Sequence, residues 1–166
     1  MNYLIKKIAI ITLLFFTLVI KGYAEIVNKV ETEGNERISL QTIVIFGDIT
    51  FGENYESADI NLLIKKLYET NFFSDISVEL NNGLLKIIVK ENPIINTIEF
   101  KGEKAEKYKE TVSELLLMGE KTSFINSYIK ADINKIREFY RSLGFYFVKI
   151  DAEVEKLKKN KVNLIY

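Results

Sequence analysis

Residues 60–91 read INLLIKKLYETNFFSDISVELNNGLLKIIVKE, and the change of period inside this stretch decides the fold. Ile60, Leu63, Ile64, Leu67 and Tyr68 follow an i, i+3, i+4, i+7, i+8 spacing, which puts one apolar stripe along one side of a helix. Asn71 is the expected stop, because asparagine tolerates the left-handed conformation just past a helix end. From Ile76 the period falls to two: Ile76, Val78 and Leu80 alternate with Ser77 and Glu79, the pattern of a half-buried strand. Asn82-Gly83 is a hairpin signal, since both central residues of a type I′ turn need positive φ. Leu84 to Lys90 is then the returning strand.

Working outward, Ile26 to Thr32 reads as a first strand ended by Gly34-Asn35. Ser39 is placed to cap a short helix through Ile45, followed by a loop from Gly47 to Tyr55. Ser57 and Asp59 are candidate N-caps for the long helix. Glu91-Asn92-Pro93 breaks the pattern at the only proline of the chain, and Pro93 is the natural seam. After it the order returns. Ile95 to Phe100 is a strand ended by Gly102. Tyr108, Val112, Leu115 and Leu116 form a helical stripe with Gly119 as its expected stop. Ile129, Ile133, Ile136, Tyr140 and Leu143 form a second, ended by Gly144. Val148, Ile150, Ala152 and Val154 then alternate with charged residues as an expected strand, and a turn at 158–160 leads into Val162 to Tyr166. Leu67 to Phe73 answers Phe139 to Tyr146, with aromatics on both sides of each helix stop where they can seal it against the hairpin. The expected fold class is α+β: two tandem β-α-α-β-β units, residues 25–91 and 92–166, each a three-stranded mixed sheet with two helices on one face.

The 166 residues carry 23 basic and 23 acidic side chains, so no bulk field draws the chain to nucleic acid. Cysteine and histidine are both absent. That removes disulfide frameworks, Cys or His metal sites, lipid attachment through cysteine, and His-based acid–base or triad chemistry. Residues 1–24 read as a secretory signal: Lys6 and Lys7 precede an apolar run from Ile8 to Ile20, and Gly22 and Ala24 suit cleavage between Ala24 and Glu25. The run is short for a membrane span, which needs about 20 residues. The mature chain is therefore expected in a bacterial periplasm.

A search for chemistry ends without a catalytic set. Asp48, Glu53, Glu56 and Asp59 cluster around the first loop, but without calcium-loop spacing they read as a solvated loop and a helix cap. Gly34-Asn35 and Gly102-Glu103 lack a phosphate-loop pattern. Lys156, Lys158, Lys159 and Lys161 make a basic hairpin tip that reads as a soluble turn. No catalytic, cofactor-binding or metal-binding residue is nominated, and an enzyme is disfavoured. The positive offer is the sheet itself, because an edge strand can pair an incoming extended peptide through its main chain, unless it is covered or blunted.

The repeat, the Leu67-Tyr68-x-Thr70-Asn71-x-Phe73 segment, the Val89-Lys90-Glu91-Asn92-Pro93 seam and Ile95-x-x-Ile98-x-Phe100-x-Gly102 resemble tandem POTRA domains of the BamA family of outer-membrane protein assembly factors. Asn71 departs from the glycine usual there but can adopt the same conformation. In that family further POTRA domains lead into a C-terminal membrane β-barrel, and this chain ends in the last strand of its second unit, so a fragment of a longer protein is expected. The resemblance implies a non-catalytic docking module at the periplasmic face of the outer membrane. Its partners would be unfolded outer-membrane proteins, periplasmic chaperones and the lipoproteins of the assembly complex. It also implies docking on the second strand of each unit: Ile76, Ser77, Val78, Glu79 and Leu80 in the first, and Val148, Ile150, Ala152 and Val154 in the second. Two alternatives stand beside it: the periplasmic part of a two-partner secretion pore, and a division-type protein anchored by an uncleaved N-terminal helix.

Overall fold

A computed structural model describes residues 24–166; the expected signal segment lies outside the described residues, apart from Ala24. The first unit runs β1 (Glu25–Ile26), β2 (Lys29–Glu33), α1 (Leu40–Phe46), β3 (Asn54–Tyr55), α2 (Ser57–Glu69), β4 (Phe73–Asn81) and β5 (Leu84–Glu91). The second runs β6 (Ile94–Glu99), α3 (Glu106–Leu115), a 3-10 turn (Asn126–Tyr128), α4 (Ile129–Ser142), β7 (Glu153–Leu157) and β8 (Lys161–Ile165). The strand orders are β2-β5-β4 and β6-β8-β7. In each sheet the outer first strand is parallel, and the outer second strand antiparallel, to a central strand that comes last in sequence. The class is the α+β arrangement the periodicities predict.

The change of period at residue 71 is realised as expected. Leu63 and Leu67 point their stripe into the core, and Asn71 ends the helix at φ 60°. On β5, Leu85, Ile87 and Val89 are buried against the helices while Lys86 and Lys90 take the other face. Each such aliphatic side chain contributes about 1.5–3 kcal/mol on burial. Asn82 and Gly83 both take positive φ, 52° and 77°, as a type I′ turn requires.

Four local expectations are corrected. Neither Ser57 nor Asp59 is the N-cap of α2; Glu56 is, and Asp59 reaches back three residues to accept its backbone N–H at 2.9 Å. Gly119 does not stop α3. That helix ends at Leu115, because the Leu117 amide turns inward to donate to buried Asp132 at 2.7 Å instead of continuing the helix. The first strand is interrupted at Val27-Asn28, where Asn28 and Lys29 both donate to the Gly83 carbonyl.

The fourth correction concerns the second unit. Val148, Ile150 and Ala152 are not in a strand; of the four expected residues only Val154 is, within Glu153–Leu157. Glu153 pairs with Ile165 and Leu157 with Lys161. The described β7–β8 ladder begins at the Glu153–Ile165 pair, and Val148, Ile150 and Ala152 lie before it.

A feature with no period in the sequence also repeats. In the first unit the Val27 amide donates to Glu53 O and Gly52 donates to Val27 O, at 3.0 and 2.8 Å. In the second, Ile95 donates to Thr122 O and Lys121 donates to Ile95 O, at 2.9 and 2.7 Å. Gly52 and Lys121 both have positive φ, 83° and 63°. The loop between the two helices thus folds back onto the start of the first strand in both copies.

Candidate functional site

The two second strands, β4 and β7, are edges, each paired on one side only. On β4 the hairpin fixes which main-chain groups are free. Asn81 and Leu84 flank a two-residue turn and must exchange both hydrogen bonds, so in an antiparallel ladder Glu79 and Ser77 do the same with Lys86 and Ile88. The N–H and C=O groups of Ile76, Val78 and Leu80 therefore point away from β5. One of them is already taken, because the Ile76 amide donates to the Tyr68 hydroxyl at 3.1 Å. Among the described residues, Val78 and Leu80 have no backbone partner on that side. Their side chains lie on the helix face of the sheet, packed on the rim of the core. Ser77 and Glu79 lie on the opposite, solvated face. A cleft of about 400 Å³ runs beside this edge, floored by Ile60 and Ile64 of α2.

The structure therefore brings together five of the residues the family resemblance nominated, Ile76, Ser77, Val78, Glu79 and Leu80, on one long edge. The second unit is different. Val148 and Ile150 line a cleft of about 380 Å³ with Ile136, Tyr140 and Tyr166. Ala152 lies outside any strand. Of the aromatics expected to seal the end of α4, Phe145 stands edge-on to Tyr140 with ring centroids 6.2 Å apart but is more than half exposed, and Tyr146 is open to solvent, as is Phe147 beyond them. Glu25, on the expected cleavage bond, begins β1 opposite Tyr55, and its carboxylate accepts from the Gly83 amide.

The β6 edge is covered. On β6, Ile94 and Ile95 are bridged by residues 121–123, and the Ile98 amide donates to the Glu120 carboxylate at 3.1 Å. Sequence reasoning missed this cover, since a fold-back loop carries no period.

Two polar anchors were also missed. The buried Glu91 carboxylate accepts the backbone amides of Glu36, Arg37 and Ile38 through one oxygen, at 3.0, 2.9 and 2.8 Å, while Arg37 Nε lies 3.5 Å from the other. The only available signal was a carboxylate at the end of an otherwise apolar central strand. In the second unit Tyr140 donates to Glu103 at 2.5 Å and Tyr166 donates to Asp132 at 3.1 Å. Burial first, and then the facing carboxylate, raise both phenols well above the ordinary tyrosine value. The Tyr140 hydrogen bond in turn holds the Glu103 carboxyl below its usual range. These pairs tie α4 to the loop at Glu103 and to Tyr166.

Of the acidic group around the first loop, Asp48 pairs with Lys66 at 2.7 Å, and Asp59 accepts the backbone N–H of the N-cap Glu56. Among the described residues no group of three or more His, Cys, Asp or Glu is arranged to hold a metal ion.

Comparison with known proteins follows this geometry. Residues 93–166 match the family model described as POTRA, surface antigen variable number repeat. The chain is 22% identical over 142 residues to the outer membrane protein assembly factor BamA of Neorickettsia risticii, covering 86% of this chain and 19% of the relative. It is 26% identical over 140 residues to BamA of Neisseria meningitidis serogroup B, covering 83% and 18%. The chain thus spans under a fifth of the length of these curated relatives. Among solved structures, the N-terminal domain of Omp85 from Thermosynechococcus elongatus superposes with a TM-score of 0.58 at 17% identity, covering 86% of this chain and 62% of that one. POTRA1-2 of the periplasmic domain of Omp85 from Anabaena gives 0.53 at 12% identity, covering 87% and 96%. At such identities the structural likeness speaks to the fold.

Proposed function

Because this chain belongs with the POTRA chains of the BamA family, we propose that it is a non-catalytic periplasmic docking module of outer-membrane protein assembly. In this reading it receives extended segments of unfolded outer-membrane proteins, or of chaperones and accessory lipoproteins, by adding them as a strand to β4. The observation that carries the reading is the pair Val78 and Leu80, whose outward main-chain groups have no backbone partner among the described residues while their side chains pack against the core. Main-chain pairing there accepts many sequences, which suits a module whose clients differ in side chains. Edge strands that escape such pairing are usually shortened, covered or charged along their length. Over Ile76 to Leu80 the charge is confined to Glu79, on the other face.

The test is a photo-crosslinking amino acid at Val78 in the intact envelope. Capture of outer-membrane proteins in transit, or of assembly partners, is the expected result. A strand that captures neither, while a crosslinker at solvated Glu79 behaves the same, sinks the proposal. Export with cleavage after Ala24 belongs to the same reading, and N-terminal sequencing of envelope material should begin at Glu25.

A further inference from the structure

We infer that the β4 edge prefers extended peptides carrying a basic residue at the end that lies beside the Asn82-Gly83 turn. The inference rests on the reading of β4 as a docking edge and adds a direction to it.

A strand added to β4 would place alternate side chains over the cleft next to Val78 and Leu80, against Ile60 and Ile64. Those contacts favour aliphatic residues at every second position. The charged residues lining the cleft are Glu25 and Glu56, and both stand at its turn end. Glu25 is placed there by the hydrogen bond its carboxylate accepts from the Gly83 amide, and Glu56 by its position at the start of α2. Among the described residues neither carboxylate pairs with a side-chain cation, every ion pair lying elsewhere, and in a chain that starts at Glu25 the α-ammonium offsets one of the two charges. At the other end of α2, Lys65 lies 3.8 Å from Glu69, and the edge itself is blocked where the Ile76 amide donates to the Tyr68 hydroxyl and to the Asp75 carboxylate. The charged lining of the groove is therefore confined to its turn end. A lysine or arginine arriving at the turn end meets two carboxylates in a site that a bound strand partly dries, and an acidic residue meets repulsion.

Titration of the purified chain with short, end-blocked synthetic peptides of alternating valine and serine tests this, with a lysine or a glutamate at either end. Amide NMR shifts at Val78 and Leu80 report the place of binding, and the titration reports affinity. In one strand direction the lysine peptide should bind about five- to tenfold more tightly than its glutamate counterpart. The advantage should vanish in about 0.5 M salt. It should also vanish in the Glu25→Gln/Glu56→Gln double variant, which keeps the acceptor oxygens. Equal affinities with shifts at Val78 and Leu80 would overturn the preference and leave the docking edge standing. No shift with any peptide would overturn the docking edge itself. Shifts that grow with chain concentration in the absence of peptide would assign the groove to a second copy of the chain, and overturn the inference that way.

Discussion

Gly34 and Gly144 share a left-handed backbone, at φ 82° and 94°, for different reasons. A Cβ on Gly34 would stand 2.1 Å from the Val89 carbonyl oxygen, whereas one on Gly144 meets nothing within 4 Å. Gly34→Ala should therefore cost more than about 3 kcal/mol and leave little folded first unit. Gly144→Ala should cost only the conformational preference, about 1–2 kcal/mol. Urea unfolding of the two variants separates them. Glu91→Ala removes the acceptor of three backbone amides and should cost about 2–4 kcal/mol by the same measurement. The phenols give a pH dependence. A raised tyrosine pKa means that the unfolded chain ionises first, so the stabilisation is complete below pH 10 and is lost as the pH rises beyond the ordinary tyrosine value of 10.0. The urea midpoint of the second unit should fall steadily above pH 10, and Tyr166→Phe should flatten that fall.

Strand β4 carries a prediction that depends on the direction of single N–H groups. Val78 points its amide outward, so Val78→Pro should leave the β4–β5 ladder in place while abolishing client capture. Ser77 points inward, so Ser77→Pro should break the ladder and lower stability by about 3 kcal/mol or more. Circular dichroism and crosslinking together distinguish the two. What the sequence made legible here was local. The Asn82-Gly83 turn, the Asn71 stop and the β5 alternation each depend on a few neighbouring residues, and each is in place. What it hid depended on a distant partner. Val148 to Ala152 alternates as well as Ile76 to Leu80 does but lies outside the described ladder, because alternation records only which face a residue prefers. The Glu91 cradle and the cover over β6 were hidden for the same reason, since their partners lie over fifty and over twenty residues away in sequence.

The two units differ in how much core each encloses. Among the described residues the first gathers thirteen buried apolar residues, from Val27 to Val89, into one cluster, and the second gathers Ile95, Met118, Val162 and Leu164. Native-state hydrogen exchange should accordingly release the amides of β8 before those of β5, and equal protection of the two central strands would contradict the difference in core size. The units meet at a joint with little slack. Asn92 donates from its backbone to Phe72 O and from its side chain to Asn71 O, while Asn160 donates to Glu91 O and accepts from the Ile94 amide. The central position of β5 and β8 has a consequence in time. During synthesis β2 and β4 emerge before the strand that must lie between them, and Lys29 waits for Leu84, 55 residues later. Neither sheet can close until its final strand has been made, and until then both outer strands are without a neighbour. A chain read here as a receiver of unfinished proteins thus passes through the same exposed condition itself, and a pause in translation just before Leu84 would hold it there.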